Sequence, residues 1–434
     1  MPESYFPSQS SSRNNELITI LNVALPFLRS ELHIVDPALP SFVSLLCSVS
    51  AGECWHKDGC FLGHLIDVYR ILKLWGSPDP VARCGLFHSV YSNSYVDLAI
   101  FDPVAGGREL LRSIIGPPAE RLVYLFCVVP RHSLIHDHLL FRYADDELLD
   151  HLSHSALSIN LAKENSIFAP TEPWRVKLKS VLPAHGITVK HIKSGDDVHL
   201  SRRMVATFLL MTMADFSDQH YGFQDELFDN GNGRMEFVGN TYTALWPGDG
   251  KPGLWMNSVS RMAAIYSLIV REEEIFIEER KSMNISQFSL DTDRDEDMEL
   301  VIPPVFEGCT KVLDVEAQKA ARDLYWEVMS QAREKGEGGL KRVEELLLEC
   351  CKKNPYVGEP HLVLGQVYIG EERFEEAEKE AEVGVRLLLE WGSPWDKRMS
   401  WEGWVAWGRL LLGKAKEKSW PRTSFGIINL GLVR

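Results

Sequence analysis

The chain has 434 residues, more than one ordinary hydrophobic core accommodates, so two domains are expected. Hydrophobic residues make up 45% and charged residues 25%, the balance of a globular protein. The net charge of -15 and the lack of any Lys/Arg-rich run argue against nucleic-acid or anionic-membrane binding, which needs a basic face.

Residues 1–14 are Ser/Asn-rich and read as a disordered tail; they lack the basic start and apolar core of a signal peptide. From Glu16 a 3.6-residue stripe of Leu17, Ile20, Leu21, Ala24, Leu25 and Leu28 predicts a helix, with Pro26 expected to kink or stop it. Phe61 to Trp75 is the next helix. "GSPDP" breaks it, and Pro80 suits the first turn of a helix reaching His88. Further helices are expected over 120–129, from an N-cap at Asp145 or Asp146, over 198–220, and from Ser258 to about Glu279. Residues 222–255 read as a long loop. The first domain, 15–280, is therefore expected to be all-α. Residues 281–311 include the acidic "DTDRDEDMELVIPP" and read as a linker.

No apolar run reaches about 18 residues, so no membrane span is expected. The cysteines at 47, 54, 60, 84, 127, 309, 350 and 351 form no C-x-x-C pair. That usage fits a reduced compartment, the cytoplasm or the nucleus.

Residues 312–434 carry a repeat of about 34 residues. "HLVLGQVYIGEERFEEAEKEAEVG" resembles a tetratricopeptide repeat, with Leu364, Gly365, Tyr368 and Ala377 at the signature offsets. Ala381 and Gly384 depart from that pattern. Pro355 closes a preceding unit beginning near Leu324, and Trp404, Trp407, Gly408 and Leu411 mark a third. The resemblance implies stacked helix pairs, a close helix contact at Gly365, and a protein partner bound by the repeats.

The chemistry concentrates in "HLIDVYRILKLWGSPDPVARCGLFHSVYSNS". His64 shares an apolar helix face with Val68 and Ile71, and His88 ends the next helix. Two facing helices would bring the imidazoles together. Asp215 ends a later apolar helical stretch, where an inward carboxylate needs a partner. His64, His88 and Asp215 are therefore candidate ligands for a divalent metal, Mn, Fe or Zn.

These segments resemble the HD superfamily of metal-dependent phosphohydrolases, nearest to its (p)ppGpp hydrolase domains. Ser89 replaces the second-pair aspartate of that pattern, which would bind metal and orient water. The segments more closely resemble a plant and bacterial domain of unknown function with the pattern "H…HL…LLxxWG…P…AGLFHSxYG", serine included. The resemblance implies an HD-like helical bundle, and a small phosphorylated metabolite or nucleotide as substrate.

His56, Ser92, Asn93, Trp246 and Trp255 are candidate site-lining residues. Neither Ser92 nor Asn93 can serve as a general base. Arg108 and Glu120 are candidates for supporting the site. "HSLIHDHLLFRYADDELLDHLSH" holds His132, His136, Asp137, His138, His151 and His154; it reads either as a second metal face or as a solvated segment, the latter favoured by its polarity. "TALWPGDGKPGLWMN" reads as an aromatic lid or as structural packing. Three function classes follow: a hydrolase with an altered site, a non-catalytic repeat adaptor, and a metal-dependent oxygenase. The last resembles inositol oxygenase, but the extra His-Asp ligands of its di-iron site are missing.

Overall fold

The structure, a computed structural model, describes residues 9–56, 59–93, 100–219, 251–282, 294–331, 337–423 and 426. It is all-α in class, with only two short antiparallel hairpins among the described residues: β1 (Trp55–His56) with β2 (Gly59–Cys60), and β3 (Ile187–Lys190) with β4 (Asp197–Leu200). No helix among the described residues is long and apolar enough to cross a membrane.

Two compact units form, and their boundaries differ from the expected ones: one unit is residues 45–318, the other residues 1–44 with 319–434. The N-terminal helix thus belongs with the C-terminal helices. It starts at Gln9, inside the expected tail, and ends at Leu28, two residues past Pro26. Pro26 therefore lies inside the last turn, where it removes one helix N–H and the helix ends two residues later. Leu17, Ala24 and Phe27 are buried, and the helix packs on Phe374–Trp391.

In the larger unit the helices Phe61–Leu74 and Asp79–Phe87 form a tight hairpin. The Cys60 side chain caps the first by accepting from the Gly63 N–H at 3.4 Å. Gly76, at φ +78°, ends it. Ser77 N then donates to Leu72 O and Gly76 N to Lys73 O, the paired bonds of a Schellman stop. Gly85 sets the approach of the two helices, since a Cβ there would lie 2.4 Å from Leu72 Cδ1 and 3.2 Å from Val68 Cγ1. His64 is one helical turn before Val68, and His88 one turn after Gly85, so this contact draws the two histidines together.

The helices Arg202–Gln219 and Trp255–Ser282 are buried along most of their length and pack on each other. The latter begins at Trp255, three residues earlier than the sequence suggests. The helix Asp145–Asn165 has Ala144 at its N-cap; Asp145, Asp146 and Glu147 instead fill the first turn, where they face the positive end of the dipole.

The described part of the expected linker, from Arg294, is packed into this unit. Arg294 and Asp295 are buried, Asp295 accepts from Arg121 at 2.5 Å and Ser201 at 2.5 Å, and Phe306 lies 5.2 Å from the Trp75 ring. Its acidic composition hides this because its charges are paired with arginines on distant segments.

In the smaller unit, the helix Gly358–Gly370 packs against Phe374–Trp391, and that against Trp401–Lys416. Leu364, Tyr368, Ala377 and Trp404 are buried, while Trp407 is half-buried. The closest backbone approach differs from the expected one. A Cβ on Gly365 would find its nearest neighbours at 3.4 Å, whereas one on Gly358 would sit 2.7 Å from Gly384 O. A Cβ on Gly408 would lie 2.5 Å from Val385 Cγ2.

Candidate metal centre

His64, His88 and Asp215 converge from three helices, and one ligand atom from each lies within 4.8 Å of the others. His64 Nε2 is 3.3 Å from Asp215 Oδ1, and His88 Nε2 is 4.0 Å from the same oxygen. The two rings stand nearly perpendicular with centroids 5.3 Å apart. All three residues are buried or nearly so.

The second nitrogen of each histidine is fixed by the protein. His88 Nδ1–H donates to Gly85 O at 2.7 Å, which leaves the neutral ring with its Nε2 lone pair aimed at Asp215. His64 Nδ1 lies 2.7 Å from Asp218 Oδ2. Asp218 is three residues after Asp215, so one helix presents both carboxylates on a single face. Arg131 brings a buried guanidinium beside the cluster: Nη1 is 3.9 Å from Asp215 Oδ2, and its carbon lies 4.1 Å from the Phe126 ring centroid. The Cys127 thiol donates to His88 O at 3.1 Å, tying the helix Pro117–Val128 to the same corner.

Burial and charge pull in opposite directions here. Burial works to discharge His64, but its bonds to Asp215 and Asp218 outweigh it and raise the pKa to about 9. Burial lowers His88 to about 4 against the attraction of Asp215. Burial opposes ionisation of Asp215, yet the bond to His64 and the nearby His88 and Arg131 hold its carboxyl well below the usual range. Without metal the site is thus a neutral His88 beside an imidazolium held between two carboxylates.

Two histidine nitrogens and a carboxylate oxygen within 4.8 Å of one another are donor types that could hold a first-row divalent ion. Ligands at about 2.0–2.1 Å from a shared metal lie roughly 2.9 Å apart at a right angle, about 3.4 Å at a tetrahedral angle and about 4.2 Å when opposite. The two separations from Asp215 Oδ1, 3.3 and 4.0 Å, fall within that span. Asp218 behind His64 forms the carboxylate–histidine support that orients such a ligand.

The other sequence candidates distribute as follows. His56 lies on β1, not on a backward extension of the helix, and its ring sits beside His64 at 4.8 Å between centroids. Ser89 is buried and accepts from Asn93 Nδ2 at 3.0 Å. Ser92 is buried at φ +64°. Trp255 is fully buried at a helix start, and Trp246 lies outside the described residues. Arg108 and Glu120 form a separate cluster with Arg112. His132 and His136 stack at 4.4 Å on a short π-helical turn, and His136 lies 6.2 Å from the Phe216 ring. That segment is more buried than its polarity suggests, and burial lowers His136 to about 4. His154 is exposed and pairs with Asp150, and His138 lines a surface pocket with Arg142 and Lys177. Sequence reasoning missed Asp218 and Arg131. The three-residue spacing of Asp218 from Asp215 was a usable signal.

A family described as a domain of unknown function (DUF6817) matches residues 45–131. That span holds His64, His88, Ser89 and Arg131 but neither aspartate of the cluster. Comparison with curated proteins and with solved structures gave no significant match.

Proposed function

We propose that residues 45–318 form an altered HD-type bundle that holds one divalent metal on His64, His88 and Asp215 and hydrolyses a phosphorylated metabolite or nucleotide. The observation that carries this reading is the convergence of those three donors from separate helices, with each histidine fixed through its far nitrogen. A bound divalent ion would supply Lewis acidity and a water of lowered pKa. The chain's own residues do the rest. Asp218 orients His64, Gly85 O sets the His88 tautomer, and Arg131 would offer a guanidinium to a phosphoryl oxygen bound beside the cluster. Ser89 contributes no charge, and Asp218 places a second carboxylate near the cluster in its stead.

In the smaller unit we read the helix pairs as tetratricopeptide-like repeats that bind a protein partner. The free cysteines, five of them buried, suit a reduced compartment such as the cytoplasm. A second reading keeps the bundle but not the chemistry. Ser89 is engaged with Asn93 instead of presenting a carboxylate, which favours a non-catalytic adaptor. Phosphate release from a panel of phosphomonoesters and nucleotides, with the full chain and Mn²⁺, separates the two. The hydrolase reading expects turnover that His88→Ala abolishes. Absence of turnover with metal demonstrably bound supports the adaptor.

A further inference from the structure

Behind the helix Pro117–Val128 a second polar cluster opens to the surface as a groove of about 490 Å³, lined by Arg108, Arg112, Pro117, Arg121, Tyr124 and Leu125. Two of these arginines are held by Glu120, which is fully buried. Glu120 accepts from Arg108 Nε at 2.7 Å and Nη2 at 3.2 Å, and from Arg112 Nε at 3.3 Å and Nη2 at 3.0 Å. Tyr91 OH donates to it at 3.2 Å. Arg108 also lies flat on the Tyr124 ring, 3.6 Å from its centroid. One buried carboxylate therefore holds two guanidiniums in fixed positions.

The arrangement leaves donors over. Nη1 of Arg108 and Nη1 of Arg112 donate to no described protein group, and Arg121 uses only Nη1, on Asp295. All three side chains keep contact with solvent, at 26%, 42% and 52% exposure. Three guanidiniums against the carboxylates of Glu120 and Asp295 leave positive charge in excess, in a chain whose net charge is -15. Arg108 and Arg112 each keep an Nη1 amino group and Arg121 keeps its Nε–Nη2 edge, so one groove is lined by spare donors from three guanidiniums. A planar carboxylate is satisfied by one guanidinium fork, whereas a tetrahedral phosphoryl group accepts from several directions at once. Pro117 and Leu125 add an apolar wall, and the groove has the volume of a small-ligand site. Phe126, on the opposite face of the same helix, points toward His88 at 6.1 Å between centroids.

We propose that this groove is a binding site for a small phosphate-bearing anion, separate from the histidine cluster. Isothermal titration of the full chain with inorganic pyrophosphate, at low salt with a metal chelator present, tests it. Saturable binding is expected, and Arg112→Gln with Arg121→Gln should weaken it by about ten-fold or more. Arg121→Gln alone should still weaken it several-fold, with thermal melting read alongside to confirm folding, because Arg121 also pairs with buried Asp295. Arg142→Gln, at the other basic pocket, should leave it unchanged. No heat up to millimolar pyrophosphate, or equal binding by wild type and Arg121→Gln, overturns the proposal. So does tighter binding of a phosphoserine peptide than of pyrophosphate, which would assign the groove to a protein partner.

Discussion

His64 bridges two carboxylates of one helix turn: Nδ1 is 2.7 Å from Asp218 and Nε2 is 3.3 Å from Asp215. With Asp218 behind it, the ring cannot rotate its Nε2 away from Asp215 without losing a bond inside a buried site. Asp218→Asn keeps the shape and removes the charge. Divalent-metal affinity should fall by about 10–100-fold, the usual cost of losing such a supporting carboxylate. Competition against a chromogenic chelator reads this directly; an unchanged affinity would place Asp218 outside the metal's support.

Ser89 tests the altered position. It is buried beside His88 in the chain and bonded to Asn93. Ser89→Asp adds a carboxylate that metal would neutralise. The variant should melt below wild type without metal, because a buried charge lacks its partner. Adding Mn²⁺ should raise its melting temperature more than that of wild type. A smaller rise would show that position 89 does not face the cluster.

In the smaller unit, backbone meets backbone at Gly358 and Gly384. A methyl at Gly358 would lie 2.7 Å from Gly384 O, a contact that cannot relax by a side-chain rotation. Gly358→Ala should destabilise by about 1–3 kcal/mol, the range of overpacking costs. Gly365→Ala meets neighbours only at 3.4 Å and gains helix propensity of up to about 1 kcal/mol, so it should be near neutral. Denaturant melts of the two variants decide the order.

His361 gives a pH dependence. Its Nδ1 lies 2.6 Å from Glu380 Oε2, joining the helices Gly358–Gly370 and Phe374–Trp391. Burial acts against its charge, but the Cys351 and Glu380 contacts prevail and raise its pKa to about 10. A raised histidine stabilises the fold in full below its unfolded pKa of about 6.5, and loses that contribution as pH rises toward 10. The melting-temperature gap between wild type and His361→Gln should therefore be widest near pH 6 and close by pH 10. A gap that widens with pH would contradict the pairing.

Much of this was legible in particular residues. The stop "WGSP" announced its own geometry, because glycine at φ +78° and a following proline are local signals. His64, His88 and Asp215 could be placed facing inward because each is a polar residue on an otherwise apolar helical stripe. Asp218 was hidden because its role depends on which face Asp215 turns to His64. The segment around Asp295 was misread for a related reason: its partners Arg121 and Ser201 lie 174 and 94 residues away. Acidic composition announces solvation only when no distant cation meets it. The N-terminal helix joined the C-terminal helices for the same kind of reason, since its stripe specifies a face but not the surface that face covers.

Metal uptake by the full chain is the most direct measurement of the central claim. Calorimetric titration with Mn²⁺ or Zn²⁺, repeated in buffers of different ionisation enthalpy, counts both ions bound and protons released. The account predicts one ion per chain and release of a proton below pH 9, because the cation displaces the proton His64 holds up to about 9. His88→Ala should lose the site. Absence of binding by wild type, or equal binding by His88→Ala, would contradict a metal centre on His64, His88 and Asp215.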